Sequence, residues 1–254
     1  MPEQTEHKRQ QDSLISAEEN RAMFDKIAGY YDGTNRILSL GLDGSWRRRA
    51  VACLSPQPGA KYLDVGCGTG DVSIEILRHA PGSAVVGIDA SEKMLELGRE
   101  KVNKLGLEHC VSLDLGDVLD LQFPDNHFDG AITSFCIRNV TDRTKGIAEI
   151  CRVVRPGGLL VILELTEPTG FIMKPLFRVY AGLIMPLVTK IMSSVSAYRY
   201  LSASMADFPR PEMFTDLMAV SGFVNTRHTH MTGGIVTLFV GEVPAQQSQV
   251  SRLS

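Results

Sequence analysis

No run of eighteen uninterrupted apolar residues occurs in the 254-residue chain, so no membrane-spanning helix is expected. No C-x-x-C pair occurs either. The five cysteines are odd in number and scattered, which argues against a disulfide framework and against any metal site of zinc type, and fits a reducing cytoplasm. The first twenty residues are polar and charged, without the apolar stretch of a secretory signal. A strong basic excess is missing too: net charge is −3, so nucleic acid is not an expected partner. What is present is ordinary, 44% hydrophobic and 22% charged residues, which suits a single domain with a full core.

The informative stretch runs from Lys61 to Leu77. Tyr62, Leu63 and Val65 read as a buried strand, and Val72, Ile74, Ile76 and Leu77 as the apolar face of a helix. Between them lie Gly66, Gly68 and Gly70. Glycine allows backbone angles closed to other residues and lets a ligand approach the main chain. The dinucleotide fingerprint needs a third glycine three residues after the second, and Asp71 stands there instead. The spacing G-x-G-x-G, with Asp64 two residues before it, resembles motif I of class I S-adenosylmethionine-dependent methyltransferases. Cys67, inside the turn, reads as a small filler.

About twenty residues on, Val85-Val86-Gly87-Ile88 ends in Asp89, where nucleotide-binding folds place an acid against ribose hydroxyls. The other reading of Asp89 is a cap for the helix starting near Ser91. Asp117 and Val118 follow the third strand. In the resembled fold they meet the adenine amino group and a ring nitrogen; the alternative for Asp117 is a turn or helix cap.

Strand candidates are Tyr62–Val65, Ala84–Ile88, Val111–Leu115, Phe128–Ser134 and Leu159–Leu165, with helices near Asp71–Arg78, Ser91–Leu105 and Arg143–Val153. Strands alternating with helices mean a doubly wound parallel sheet. Pro156-Gly157-Gly158 reads as a turn into the fifth strand. Asn225–Met231 and Gly234–Val240, joined at Thr232-Gly233, read as an antiparallel hairpin. Residues 1–20 are expected to be flexible, 21–243 to form one methyltransferase domain, and 244–254 to be a loose tail. Within the domain, residues 21–58 read as an amphipathic helical lid. Residues 170–204 form an apolar insertion with Lys174, Arg178 and Lys190 and with Pro175 and Pro186 limiting its helices. It could roof the site for a greasy substrate, touch a membrane surface, serve as a homodimer interface, or be a buried helix pair.

Several motifs together resemble one family. Tyr31-Asp32-x-x-Asn35-x-x-Leu38-Ser39 precedes Trp46-Arg47. Arg152-Val153-Val154-Arg155-Pro156-Gly157-Gly158 runs on to Glu164-Leu165-Thr166. Between them lies Ile137-Arg138-Asn139-Val140-Thr141-Asp142, and later come Ala197-Tyr198-Arg199-Tyr200-Leu201 and Thr232-Gly233-Gly234-Ile235-Val236. From about Phe24 to Gly241 the chain resembles the ubiquinone/menaquinone-biosynthesis C-methyltransferases. Asp43 stands where that family commonly has histidine, and Thr166 where it has serine. The resemblance implies S-adenosylmethionine as cofactor, held by Asp64, Gly66, Gly68, Thr69, Gly70, Asp89, Asp117, Val118 and Ser134. It implies a polyprenyl quinol as acceptor and an enzyme that is either cytoplasmic or peripheral at the inner face of the membrane. The first reading of the reaction is 2-demethylmenaquinol to menaquinol. A ubiquinone precursor, or another hydrophobic small molecule, is the alternative.

Ring-carbon methylation needs a phenolate, because a neutral phenol carbon is a poor nucleophile. Arg138 and Asn139 follow the fourth strand. Arginine stays protonated, so Arg138 is read as stabilising the phenolate and Asn139 as positioning a water; the alternative for Arg138 is a surface ion pair. Tyr198 is the next candidate base. His228 and His230 share one face of a strand, without a third residue at metal-ligand spacing. A nicotinamide oxidoreductase is opposed by the glycine spacing, and a catalytically silent binding module by the Arg-Asn pair beside an intact cofactor motif.

Overall fold

The computed structural model describes residues 16–168, 170–171, 173–184 and 195–245. Three helices come first: α1 (Ala17–Ile27), α2 (Tyr31–Leu38) and α3 (Asp43–Leu54). The expected loose segment is already helical by residue 17. Ser16 accepts the Glu19 N–H, and the Glu19 carboxylate returns a bond to the Ser16 N–H. This reciprocal cap satisfies donors that a helix start otherwise leaves exposed.

The alternating unit follows: β1 (Lys61–Val65), α4 (Asp71–His79), β2 (Ala84–Asp89), α5 (Glu92–Lys104), β3 (Val111–Leu115), β4 (Phe128–Ser134), α6 (Arg143–Val153) and β5 (Val154–Leu165). Then come α7 (Met173–Val179), α8 (Val195–Asp207), α9 (Pro211–Val220), β6 (Val224–Met231) and β7 (Val236–Glu242). One sheet holds the strands in the order β3-β2-β1-β4-β5-β7-β6. The first five are parallel, and β7 runs antiparallel between β5 and β6.

Two strands differ from the sequence reading by more than one residue. β5 begins at Val154, so Pro156-Gly157-Gly158 is a bulge inside the strand rather than a turn before it. The pairing jumps there from Phe128↔Val154 to Gly130↔Leu159, with Gly157 at φ 77°. The extra residues are absorbed by a conformation that glycine adopts without strain. β7 begins at Val236, because Thr232–Gly234 form a tight helical turn with three successive positive φ values.

Apolar packing fills both faces of the sheet. On one face α3, α4 and α5 bring Trp46, Val51, Leu54, Ile74 and Leu95 against Tyr62, Ile132 and Val161. On the other, α6 and α9 bring Ile147, Ile150, Phe214 and Met218 against Leu63, Ala131, Ile162 and Phe239. The sheet thereby presents the carboxyl ends of β1, β2 and β4 at the point where strand order reverses, the place where such folds bind ligands. Among the described residues, no helix is long and apolar enough to cross a membrane.

Candidate active site

The glycine turn joins β1 to α4, and each glycine has its own reason. Gly66 has φ 67°, and a Cβ there would sit 2.3 Å from the Cys136 sulfur. Gly70, at φ 78°, is the residue before α4, and a Cβ there would press on Leu113. Gly68, at φ 54°, faces open space: a Cβ would meet nothing within 4 Å. That space is a cleft of about 650 Å³, lined by Gly66, Gly68, Asp89, Asp117, Val118, Ser134 and Asn139. Its size falls in the range of small-molecule sites, about 300–1,000 Å³.

Asp89 ends β2 at the cleft. One carboxylate oxygen accepts the Gly68 N–H at 2.8 Å and the other the Ser91 N–H at 2.9 Å, which leaves each oxygen a lone pair. Burial raises its pKa. The helix cap that might have explained Asp89 is Ser91, whose hydroxyl accepts the Met94 N–H. Asp117 does both things considered for it: it accepts the Leu119 N–H within a turn and lines the cleft. The Ser134 hydroxyl is buried and has no partner among the described residues. A carboxylate with lone pairs left for further donors, open backbone at Gly68 and an unpaired hydroxyl fit a nucleoside-bearing group such as S-adenosylmethionine.

Asp64, Thr69 and Gly70 stand behind the turn and do not line the cleft. Asp64 accepts the Ser73 hydroxyl at 2.7 Å, and its other oxygen is buried without a partner. Burial pushes its pKa up to about 7. Thr69 donates to Asp32 of α2 at 2.8 Å, so it ties the lid to the turn. Cys67 is buried, and burial raises its thiol well above the usual range, which suits a filler and not a nucleophile.

A second cavity, apolar and narrower, lies under the lid. Phe24, Tyr30, Tyr31, Leu38, Trp46, Phe135, Arg138, Phe177, Tyr180, Tyr200 and Ile235 line it, with Asp43 among its few polar groups. Phe24, Tyr31 and Phe135 line both spaces. They form the partition at which two bound molecules would meet.

Arg138 borders this second cavity, and its ion pair is buried, not on the surface. Its guanidinium donates to Glu164 Oε1 at 2.8 Å and to the Phe135 carbonyl. Its backbone N–H donates to Glu164 Oε2 at 3.1 Å. Burial opposes the charge on Arg138, but Glu164, Tyr31 and Tyr200 together outweigh it and the pKa is raised. Asn139 faces the cleft instead, and its Oδ1 accepts from Tyr200 at 3.0 Å. The Tyr200 hydroxyl also accepts from Asn20 of α1, and burial pushes it up to about 12. Tyr198 belongs to α8, but its side chain lies outside the described residues. His228 and His230 sit on the edge strand β6, near Glu212 and Thr237, and line neither space.

Sequence reasoning did not place Tyr31, Glu164 or Tyr200 in the site. All three occur in stretches that carried the family resemblance. Only contacts across the fold give them roles.

The sheet order and the cleft define a class I S-adenosylmethionine-dependent methyltransferase fold. A solved structure described as a SAM-dependent methyltransferase from Aquifex aeolicus has the same architecture, at TM-score 0.58 and 19% identity, covering 78% of this chain and 89% of that one. At family level, the model of the ubiE/COQ5 methyltransferase family matches residues 13–242. The ubiquinone/menaquinone biosynthesis C-methyltransferase UbiE of Geobacter sulfurreducens is 43% identical over 87% of both chains. The demethylmenaquinone methyltransferase of Bacteroides fragilis is 41% identical over 88% of this chain and 91% of its own. The chain belongs to the ubiE/COQ5 methyltransferase family and is an S-adenosylmethionine-dependent methyltransferase.

Proposed function

We propose that this enzyme methylates a ring carbon of a polyprenyl quinol, converting 2-demethylmenaquinol to menaquinol. The observation that carries the reading is the partition of Phe24, Tyr31 and Phe135 between a polar cleft and an apolar cavity. An acceptor with a flat ring and a greasy tail matches the second space, and relatives named for quinone biosynthesis support it.

When bound, S-adenosylmethionine supplies an electrophilic methyl group. Asp89 takes the ribose hydroxyls, Asp117 and Val118 border the adenine, and Gly66 and Gly68 let the backbone come close. Asp64, Thr69 and Gly70 act indirectly, by shaping the turn. Arg138 stabilises the ring oxygen as it becomes negative, in a site whose burial strengthens the interaction. Asn139, fixed by Tyr200, holds the water through which the hydroxyl proton leaves. Tyr198 is the alternative base, since Tyr200 and Leu201 of the same helix line the acceptor cavity. The apolar cavity lets the enzyme work as a cytoplasmic protein that takes its acceptor from the membrane surface.

The test is direct. The purified enzyme, given cofactor with a labelled methyl group, is offered reduced demethylmenaquinone and the methoxy-benzoquinol precursor of ubiquinone separately. Label on a ring carbon of the naphthoquinol, at the higher kcat/KM, is expected. Label on oxygen, or turnover of neither ring, contradicts the reading.

A further inference from the structure

Asn20 is the one buried residue of α1, and it is polar. A helix laid on a protein normally turns apolar side chains inward, and an amide taken out of water costs free energy unless it is hydrogen-bonded. The Asn20 amide nitrogen donates to the Tyr200 hydroxyl at 2.5 Å. That hydroxyl donates in turn to Asn139 Oδ1 at 3.0 Å. Asn20 and Asn139 line the cofactor cleft, and Tyr200 lines the acceptor cavity. The three side chains therefore run from α1, past the wall between the two spaces, to the loop after β4.

The direction of these bonds is set at the outer end. An amide nitrogen can only donate, so Tyr200 accepts there and its single proton goes to Asn139. Burial keeps that phenol protonated, pushing it up to about 12. The backbone of the loop is held separately. Glu164 takes the Arg138 N–H, Arg143 donates to the Arg138 carbonyl and pairs with Asp207 at 2.8 Å, and the Asn139 N–H reaches the Cys136 carbonyl. What these bonds leave open is which end of the Asn139 amide faces the cleft. With Oδ1 engaged by Tyr200, the amide N–H₂ group is turned to the cleft as a donor. We propose that Asn20 is a positioning residue for methyl transfer: seated with α1 over the cofactor, it sets the orientation of the Asn139 amide through Tyr200. A donor at that place grips a water by its oxygen and leaves the water's hydrogens free to pass a proton onward. The inference rests on the proposed chemistry in one respect, the water held by Asn139, and it makes the placing of that water conditional on the seating of α1.

The experiment, on the full chain, separates orientation from anchoring. Asn20→Asp keeps the shape and reverses the bond: at about pH 8 its carboxylate is ionised and takes the Tyr200 proton, so Asn139 is left to donate to Tyr200 with its oxygen toward the cleft. Asn20→Leu keeps the volume and removes the bond. Asn20→Asp is expected to lower kcat about tenfold, part of the about 10²–10⁴ that a placed proton path is worth. Asn20→Leu is expected to lose less, because Tyr200 can still donate to Asn139. Cofactor affinity by titration calorimetry is expected to hold in both. If Asn20 only anchors the lid, the order reverses, since aspartate still bonds Tyr200 and leucine does not. That order overturns the proposal, as does a loss of kcat that follows cofactor affinity. Tyr200→Phe breaks the chain at its middle, and in that background Asn20→Leu is expected to cost nothing further. Additive losses overturn the proposal, even where Asn20→Asp fails to fold. One readout needs no acceptor. In protein isotope-labelled at asparagine and loaded with S-adenosylmethionine, the Asn139 side-chain amide signal, identified by its loss in Asn139→Ser, is expected to shift in Asn20→Asp. An unmoved signal overturns the proposal. The expected shift, with no methylation of any quinol by the wild type, would sink the acceptor reading alone.

Discussion

Glu164 holds Arg138 at both ends: one carboxylate oxygen takes the guanidinium at 2.8 Å and the other takes the backbone N–H at 3.1 Å. The Glu164 side chain is fully buried and that of Arg138 is 6% exposed. A buried charge pair of this kind is weak evidence for stability, but breaking it from one side costs about 3–5 kcal/mol. Arg138→Ala therefore confounds folding with catalysis, since it strands a buried carboxylate. The cleaner pair is Arg138→Lys, which keeps the charge, and Glu164→Gln, which keeps the shape. Loss of one preorganised donor lowers kcat by about 10²–10³, and Arg138→Lys is expected to fall in that range because an ammonium cannot reproduce the planar fork. Glu164→Gln is expected to lower kcat by about tenfold through misorientation of the arginine. Cofactor affinity, followed by titration calorimetry, should hold in both. A kcat near wild type in Arg138→Lys would falsify the charge-stabilising role.

Asp89→Ala removes the acceptor of the Gly68 and Ser91 N–H groups, which is also the acceptor proposed for the cofactor's ribose. Cofactor binding is expected to weaken by roughly 1.5–3 kcal/mol, the range for lost hydrogen bonds to a charged group. Calorimetry on a variant with native circular dichroism checks it, and unchanged affinity refutes the assignment.

Lys101 of α5 reaches Asp32 of the lid at 2.9 Å, Asp71 at 2.6 Å and the Thr69 hydroxyl at 3.0 Å. Burial works against its charge, but the carboxylates outweigh burial and raise its pKa. Lys101→Met leaves Asp32 without its cationic partner and Asp71 with only Arg47, at 3.6 Å. The lid over the cleft is expected to open more often, speeding cofactor release about three- to tenfold and hydrogen exchange in α2. Raised salt should reproduce part of the effect in the wild type and little in the variant.

Asp64 sets a pH dependence whose sign can be worked out. Its folded pKa, about 7, lies above the ordinary aspartate value of 3.8. Between those values the folded state binds a proton that the unfolded state has released, so stability falls as pH rises through that window, by up to about 1.4 kcal/mol per unit. Below it both states are protonated; above it the carboxylate is charged in both and the loss is complete. Asp64→Asn, neutral at all pH, should gain on the wild type from pH 4 to 7, with the difference levelling off beyond. Denaturant melts of cofactor-free protein across pH 4–8 measure it, and a constant difference contradicts it.

Phe177→Glu places a charge in the wall of the acceptor cavity. It is expected to spare cofactor binding and to raise KM for long-tailed quinols by at least tenfold more than for short-tailed analogues. Equal effects on both would mean that Phe177 serves folding and not the tail. The same reasoning for Leu183 falls on a side chain outside the described residues.

The parallel unit was legible in the chain because period and punctuation are local. Alternation from Tyr62 to Val65, glycines at 66, 68 and 70, and an acid ending the run at Asp89 need no distant partner to be read. β3, β4 and α6 fall on their expected residues for the same reason. The bulge at Pro156-Gly157-Gly158 is not legible in the chain, because a turn and a bulge use the same residues and only pairing with β4 separates them. The site divides likewise. Gly66, Gly68, Asp89 and Asp117 follow from position after a strand. Whether a polar residue of a motif faces the ligand or the scaffold depends on what lies across from it: Asp64 on Ser73, Thr69 on Asp32, Arg138 on Glu164, Asn139 on Tyr200. Those pairs span 9 to 61 residues, and such separations leave no periodic trace. The sequence by itself determined the strand order of chemistry, from glycine turn to ribose acid to Arg-Asn loop. The tertiary structure alone decided which of those groups meet a ligand, because buried charges and hydroxyls take the partner that folding brings to them.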